Sequence, residues 1–418
     1  MKPILLLTFG SRGDVQPMVA LGRALRQRGH AVQLAAPATF ETFIREHDLE
    51  PILLPGDIET LSRQLVDEAG SNPFRNMSVI MREGLRIGAA VFDTLSAHIP
   101  QARAVVYSFV FIGGGHALAR QAGVPDIAAL FYPVFHPSRT PSLTNPMFPA
   151  GTSRAYNQFT HWLFDTSFWQ SNRIGYGQLR RQRPGLPAHL PYPFQPGYPH
   201  MPPRLYTFSP HVIARPPEWG EHDHLTGFWQ LPAPASYTPP PALTKFLNDG
   251  SPPIYVGFGS MVSRDMPKIA ELVAEALVIA GQRGVLLSGW GGLTTSAPPG
   301  VLHILDAAPH DWLFPQMAAV VHHGGLGTTA AGLQSGVPSI IVPFTADQPF
   351  WGRTVYNAGV GPRPIPRRQL TARKLAAAIQ QATTDSTMRQ RAADLGARLV
   401  NEDGATEAAR IIENYLNL

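Results

Sequence analysis

The chain has 418 residues, enough for two domains that each bury a core, and its 44% hydrophobic and 15% charged residues exclude a disordered chain. It contains no cysteine, which excludes disulfides, zinc–thiolate sites and thiol nucleophiles, so any chemistry must come from oxygen and imidazole groups. The formal charge of +5 comes from scattered basic residues without an aromatic and basic recognition signature, so we expect no nucleic-acid partner.

The sequence has no uninterrupted apolar stretch long enough to span a bilayer, and its N-terminus lacks the small-residue cleavage pattern of a signal peptide. We therefore expect a cytoplasmic protein. Its mildly basic surface would also tolerate peripheral contact with anionic membrane lipids.

The first half of the chain alternates strand-like apolar runs with helical periodicity, which is the pattern of a parallel sheet covered by helices. The predicted strands are ILLLTF, AVQLAAP, ARAVVYSF and PDIAALFYP. The helix after the first strand, which ends near Gly29, carries these apolar residues on one face: Val15, Met18, Val19, Gly22 and Leu25. From Asn72, NPFRNMSVIMREGLRIGAAVF also has helical spacing, which fits core packing or, alternatively, a lipophilic contact surface.

Prolines recur every few residues between Pro184 and Pro241. This excludes long helices and central strands, and we interpret the later part of the stretch as an interdomain connection.

A second alternation follows, with predicted strands PPIYVGFG, GVLLSGW, VLHIL, AAVVHH and PSIIVPF and helices over 266–280, 327–334 and 349–357. We predict an α/β fold of two doubly wound domains, residues 1–215 and 246–395. A linker over 216–245 joins them, and a C-terminal helix over 396–418 packs back on the first domain. Ligands bind such sheets at the carboxyl ends of their strands, so we expect the site in a cleft between the domains.

The stretch VVHHGGLGTTAAG places a strand, a glycine loop and a helix start in that order. The N–H groups and positive dipole end of a helix that starts near Gly325 suit a pyrophosphate, to which His322 and Thr328 could donate. The alternative is a glycine-rich turn with one imidazole in the core. His323 would point to the opposite side of the strand, and we interpret it as structural.

Asp347 and Gln348 follow the strand PSIIVPF, where a carboxylate and an amide side by side could grip the vicinal hydroxyls of a sugar. The alternative for Asp347 is a helix N-cap. Ser260, after the strand IYVGFG, could contact a phosphate from the opposite wall of the pocket or cap the next helix.

The N-terminal stretch GSRGDVQP is another glycine loop between a strand and a helix. Its Asp14 has three candidate roles: a helix cap, a neighbour of a phosphate loop, or a catalyst. Arg12 and the helix N-terminus would stabilise the charged form of Asp14 and so weaken it as a base.

The pattern resembles the inverting glycosyltransferases of the GT-B architecture, which have two facing Rossmann-like domains. The segment APHDWLFPQMAAVVHHGGLGTTAAGLQSGVPSIIVPFTADQPFWGRTVYNAGVGPRPIP resembles the donor-binding motif of sterol glucosyltransferases. GSRGDVQP is similar to the acceptor-side loop of that group and of the glycosyltransferases of glycopeptide antibiotics.

The resemblance implies that Asp14 is the general base that activates the acceptor hydroxyl. It also implies a donor site in which Asp347 and Gln348 hold the hexose, and Pro309 and His310 lie at the nucleoside. The diphosphate would be held by Ser260, His322, Gly324, Gly325, Gly327 and Thr328. The tryptophan that stacks on uracil in plant members is Ala307 here, and Trp290 could line the same edge. Arg12, Phe131 and His136 are candidate acceptor contacts, His136 being alternatively a structural histidine.

The implied reaction is metal-independent and needs no cofactor: glucose moves from UDP-glucose to a hydroxyl of a lipophilic acceptor, a sterol 3β-hydroxyl first. The alternatives are transfer to a polyketide, glycopeptide, terpenoid or flavonoid aglycone, a nucleotide-sugar-binding protein without catalysis, and a nucleotide-sugar epimerase.

Overall fold

The computed structural model describes residues 2–64, 72–138, 148, 151, 153–183, 185–186, 188, 190, 192–195, 197–234, 236–259, 266–288, 298 and 300–417. The chain forms two compact units. The first comprises Met1–Leu61, Pro73–Leu231 and Asp403–Leu418, and the second is formed mainly by Pro232–Glu402.

The first unit is built on a parallel sheet of seven strands. In spatial order the strands are β3 (Glu50–Leu54), β2 (Val32–Pro37), β1 (Ile4–Leu7), β4 (Ala104–Tyr107), β5 (Asp126–Leu130), β6 (Arg204–Tyr206) and β7 (Asp223–Leu225). Every residue of β1 and β4 is buried, which explains their continuous apolar runs, because helices cover both faces of such a sheet.

The described part of the chain before Pro232 forms several helices, and a further helix joins the first unit near the C-terminus. They are α1 (Arg12–Gln27), α2 (Glu41–Arg45), α3 (Ile58–Gln64), α4 (Pro73–His98), α5 (Ile112–Ala122) and α6 (Arg154–Gln182), with α14 (Gly404–Tyr415) as the last. Helix α14 lies against α1, and Glu413 accepts hydrogen bonds from Arg28 and His30, each at 2.8 Å.

The proline-rich stretch contains a central strand, contrary to the sequence prediction. β6 pairs with both β5 and β7. Its three residues, Arg204–Tyr206, are free of proline and directly follow Pro202 and Pro203, so no ladder donor is lost. The first unit consequently extends to Leu231, past position 215.

The second unit has a parallel sheet of five strands in the order β10 (Leu302–Leu305), β9 (Gly284–Leu287), β8 (Ile254–Gly257), β11 (Ala319–His322) and β12 (Ser339–Ile341). Its helices are α7 (Pro241–Asn248), α8 (Met266–Ala280), α9 (His310–Leu313), α10 (Leu326–Gln334), α11 (Gln348–Asn357), α12 (Ala372–Thr384) and α13 (Ser386–Leu399). Because α13 packs on α10, this unit continues to Glu402, past position 395.

In each unit the loops with candidate residues follow the carboxyl ends of strands of one parallel sheet. In the first they follow β1 and β5, and in the second β8, β10, β11 and β12. Within the described ranges, no helix combines the length and apolar character needed to cross a membrane.

Candidate functional site

The loop after β1 is held by hydrogen bonds to its own aspartate, Asp14. Ser11 is the N-cap of α1, and Asp14, three residues later, completes a capping box by accepting from the Ser11 N–H at 2.8 Å and the Ser11 hydroxyl at 3.2 Å. Gly10 has φ +146°, and a Cβ there would overlap the Asp14 carboxylate. The half-buried Asp14 is therefore fixed at the carboxyl edge of the first sheet, in the first turn of a helix.

Arg12 makes its described contacts on the flank of α1. Its Nε donates to Gln16 Oε1 at 3.0 Å, and its guanidinium lies 4.5 Å from the ring centre of Phe43. Burial lowers the Arg12 pKa, an effect that Glu46 opposes. The contacts described for Arg12 are thus with Gln16 and Phe43.

The loop after β11 leaves its helix without a side-chain cap. The N-cap of α10 is Gly325, which has no side chain to bond the N–H groups of Leu326, Gly327 and Thr328. Such an end attracts anions, because its donors point outward and the helix dipole places partial positive charge there. Gly324, with φ +91°, is tightly enclosed: a Cβ would lie 2.7 Å from Ile341 Cγ2 and 3.1 Å from the Gln348 carbonyl oxygen.

His322 is the last residue of β11, directly before the glycine loop, and its contact with the diphosphate stays a prediction. Its side chain is fully buried, and a Cβ on Gly332, in the middle of α10, would lie 3.9 Å from its Nε2. Its Nδ1 accepts the Gly324 N–H at 3.1 Å. Burial holds the His322 pKa well below its ordinary value, so the ring is neutral. His322 therefore holds the glycine turn through Nδ1, while its enclosed Nε2 has no hydrogen-bond partner among the described residues.

His323, to which the sequence assigns a structural role, lies at the N-terminal end of α10. The residue is partly exposed, a Cβ on Gly325 would overlap its Nε2, and one on Gly259 would lie 3.0 Å from its Cε1. Burial, with His310 nearby, lowers the His323 pKa to about 4, so the imidazole is neutral and offers one donor and one acceptor. The described residues provide no hydrogen-bond partner for its enclosed Nδ1. This ring and the uncapped N–H groups of α10 lie together.

Pro309 and His310 begin α9 beside this cluster. Pro309 is the N-cap, and His310 Nε2 lies 3.2 Å from the Tyr255 hydroxyl, while its ring stacks on Phe314 at a centroid distance of 4.4 Å. The buried Tyr255 runs towards Gly257, where β8 ends. Tyr255 and Phe314 therefore fix the orientation of His310 at the sheet edge.

The side chains of Asp347 and Gln348 have different hydrogen-bond partners. Trp351 Nε1 donates to Asp347 Oδ2 at 2.8 Å, and burial raises the pKa of Asp347 to about 6. Gln348 is 4% exposed, and its Oε1 accepts the Phe344 and Thr345 N–H groups at 2.8 and 3.0 Å. The Gln348 oxygen is therefore bonded to the loop backbone, and the contact of Asp347 and Gln348 with a sugar stays a prediction.

Ser260 and Trp290 lie outside the described residues. The neighbouring Gly259, with φ +59°, belongs to the described part and faces His323. Ser260 and Trp290 stay predictions.

Phe131 and His136 lie in the loop after β5. Phe131 is 6% exposed and packs in the core, and its contact with an acceptor stays a prediction. His136 Nδ1 lies 2.7 Å from Asp223 Oδ2, and Asp223 also accepts from Arg204 Nε at 2.6 Å. The His136 side chain keeps 21% of its surface exposed, so it is held by its partners at the edge of the sheet.

Sequence reasoning missed several residues of these two edges. His323 was set aside, although it directly precedes the glycine pair. Ser11, three residues before Asp14, is half of a capping-box spacing that could have been recognised. His161 and Asp165, four residues apart on α6, also carry enclosed polar atoms, and their helical spacing was the available signal.

Two family descriptions match the chain. Residues 4–119 match the glycosyltransferase family 28 N-terminal domain, and residues 283–415 match the C-terminal domain described as erythromycin biosynthesis protein CIII-like. The matches fall on the two ends of the chain and include both glycine loops.

Curated relatives align along almost the whole chain. A sterol 3-beta-glucosyltransferase of Arabidopsis thaliana is 35% identical over 423 residues, which are 99% of this chain and 65% of the relative. The O-mycaminosyltylonolide 6-deoxyallosyltransferase of Streptomyces fradiae is 35% identical over 99% of this chain and 97% of its own length. The chain thus spans about two thirds of the plant relative and nearly all of the bacterial one.

Solved structures share the fold at low sequence identity. The glycotransferase of kitacinnamycin superposes with a TM-score of 0.72 at 20% identity and covers 100% of both chains. The Streptomyces sp. SF2575 glycosyltransferase SsfS6, complexed with thymidine diphosphate, has a TM-score of 0.64 at 20% identity, covering 99% of this chain and 100% of its own.

Proposed function

Because the chain belongs to the GT-B glycosyltransferases that include the sterol 3-beta-glucosyltransferases, we propose that it transfers a hexose from a nucleotide sugar to a hydroxyl of a lipophilic acceptor. The first donor to test is UDP-glucose and the first acceptor a 3β-hydroxysterol. The observation that carries the proposal is the uncapped N-terminus of α10 with His323 beside it, a ready-made site for a diphosphate.

In this proposal the second unit binds the donor. The N–H groups of α10 and His323 stabilise the negative charge that develops on the leaving diphosphate, and Asp347 accepts hydrogen bonds from the hexose. His310 contributes to the nucleoside part. Neither a metal ion nor a cofactor is required, so activity should survive treatment with a chelator.

The first unit supplies the base. Asp14 accepts the proton of the acceptor hydroxyl as that oxygen attacks the anomeric carbon, the carbon–oxygen bond to the diphosphate breaks, and the configuration inverts. Its hydrogen bonds from Ser11 aim the carboxylate while leaving the residue partly exposed. Helix capping and catalysis are compatible here.

A macrolide or other polyketide aglycone is the second candidate acceptor. It is favoured by the bacterial relative, named as a deoxyallosyltransferase of a tylonolide, which the chain covers over 97% of its length. The donor would then be a thymidine nucleotide sugar as readily as a uridine one, since a related fold is solved with thymidine diphosphate.

The test is a mass-spectrometric product screen. UDP-glucose and TDP-glucose are each incubated with a sterol, a macrolide aglycone and a flavonoid, with the parent and the Asp14→Asn variant. We expect a glycoside with the parent and none with the variant. Binding of UDP without any product, unaltered in Asp14→Asn, would instead indicate a nucleotide-sugar-binding protein, and conversion of the donor alone an epimerase.

A further inference from the structure

Two polar side chains of α6, the buried His161 and the half-buried Asp165, have no role in the proposed reaction. His161 and Asp165 are four residues apart, so they share one helix face about 6 Å apart along its axis. His161 is 0% exposed, and among the described residues neither of its ring nitrogens has a hydrogen-bond partner. The enclosed Oδ1 of Asp165 also has no hydrogen-bond partner among the described residues. Buried polar atoms of this kind are rare in native proteins, and each calls for an occupant.

An aromatic wall lies beside this pair, because Phe164 and Phe168 are within one helical turn of Asp165. Phe164 and Phe168 on α6 pack against Phe109, which follows β4, and Phe135, which follows β5. Their ring centroids are 4.7 to 6.3 Å apart. The wall therefore places apolar surface next to hydrogen-bonding groups, a combination typical of pockets for small molecules.

The loop after β5 is held in a strained conformation beside the same groups. Phe135 has φ +61°, which non-glycine residues rarely adopt. Arg204 donates to the Phe135 carbonyl oxygen at 3.3 Å, the Tyr206 hydroxyl donates to the Val134 carbonyl oxygen at 3.0 Å, and Asp165 accepts from the Phe135 backbone. Backbone strain clusters at binding sites, and this is the sheet edge where doubly wound domains take ligands.

The charge state of the pair narrows the class of ligand. Burial lowers the pKa of His161 to about 4, an effect that His136 reinforces, and burial raises the pKa of Asp165 to about 8. At neutral pH both groups are predominantly uncharged, and each can donate and accept a hydrogen bond. Arg204 is already paired with Asp223 at 2.6 Å. The matching group is therefore an uncharged hydroxyl or carbonyl, rather than an ammonium or a phosphate.

We propose that His161 and Asp165 form a polar subsite for the acceptor, which binds a hydroxyl or carbonyl on an otherwise apolar skeleton, separate from the hydroxyl that receives the sugar. The inference rests on the proposed function and sharpens it. The subsite selects skeletons with at least two oxygen functions over those with a single hydroxyl.

The experiment compares two acceptors that differ in one oxygen: a 3β-hydroxysteroid and its derivative with a ketone on the far ring. We expect the parent to prefer the ketone in kcat/KM by about 10-fold or more, because a site built to hydrogen-bond an oxygen rejects the analogue without it. His161→Phe and Asp165→Leu should bring this ratio close to one. Asp165→Asn, which keeps a donor and an acceptor, should retain it.

Thr160→Val is the matched control. Thr160 is equally buried and adjacent to His161, but its hydroxyl bonds the Asn157 carbonyl oxygen within α6 at 2.9 Å, so the ratio should not change. A ratio near one in the parent, or a ratio unaltered in His161→Phe, would mean that these groups hold only water, and would overturn the proposal.

A binding measurement separates this inference from the proposed function. Calorimetric titration of both steroids into the parent, His161→Phe and His161→Gln requires no turnover, and His161→Gln covers the case in which His161→Phe does not fold. A preference for the ketone that His161→Gln partly keeps supports the subsite even without product. Equal binding of the two steroids to the parent overturns it.

Discussion

Two strand-to-helix loops, one in each unit, share a chain plan and leave their helix ends in different states. After β1, Ser11 and Asp14 satisfy the first turn of α1 with their own side chains. After β11, the N-cap is Gly325, and α10 begins without a side-chain cap. In the first loop the protein supplies the negative charge; in the second it leaves room for one from a ligand. The same backbone arrangement is therefore capped by side chains of the chain in one unit and left without a side-chain cap in the other.

The largest expected effect comes from Asp14→Asn. The amide oxygen can still accept from the Ser11 N–H, so the melting temperature should change little, whereas loss of a general base lowers kcat by about 100- to 10,000-fold. Initial rates and thermal unfolding are measured together. Asp385→Asn, at the N-cap of α13, is the control, because it changes a capping aspartate outside the proposed site. Equal rates for Asp14→Asn and the parent would reduce Asp14 to a cap.

The second loop is tested by Gly325→Ala. The new methyl group would overlap His323 and displace it from the helix end, so affinity for UDP or TDP should fall about 10- to 100-fold, as expected for misplacement of a binding group. Calorimetric titration provides the dissociation constants. Gly177→Ala, in open space on α6, should leave them unaltered. An unaltered constant in Gly325→Ala would show that the anion binds elsewhere.

The two adjacent histidines should separate binding from stability. His323→Ala should weaken nucleotide binding about 10-fold, as for the loss of one hydrogen bond to a charged group, with little loss of stability. His322→Ala should cost about 2–4 kcal/mol of unfolding free energy, because it leaves a cavity and removes the acceptor of the Gly324 N–H. Denaturant unfolding and titration are run on both variants. The reverse pattern would favour His322 as the ligand contact.

The smallest expected effect is the pH-dependent contribution of Asp347, the N-cap of α11, to stability. Since burial raises the pKa of Asp347 to about 6 from an ordinary value near 3.8, its ionisation opposes folding, and stability decreases as the pH rises from about 4 to about 6. Asp347→Asn removes this contribution and can still accept from Trp351. Its melting temperature should therefore rise relative to the parent across that window. A constant difference from pH 4 to 7 would contradict the shifted pKa.

The sequence predicted most of both sheets because buried parallel strands are continuous apolar runs, such as ILLL in β1. The short β6, between prolines, carries no such run. Glycine loops were also predictable, because strand, glycine and helix are local signals. The different surroundings of His322 and His323 were not predictable, because they depend on which side of β11 lies beneath α10. The capture of the Gln348 oxygen by Phe344 and Thr345 likewise appears only in three dimensions.

The return of α14 to the first unit makes the second unit an insertion in topological terms. The chain leaves the first unit after Leu231 and re-enters it at Asp403, and Ala408, Ala409 and Ile412 of α14 are fully buried. A fragment that stops before residue 403 would lack the helix that covers α1. Deleting α14 would thus expose α1, the helix that carries Asp14. The two helices are neighbours in space although nearly 400 residues separate them in sequence.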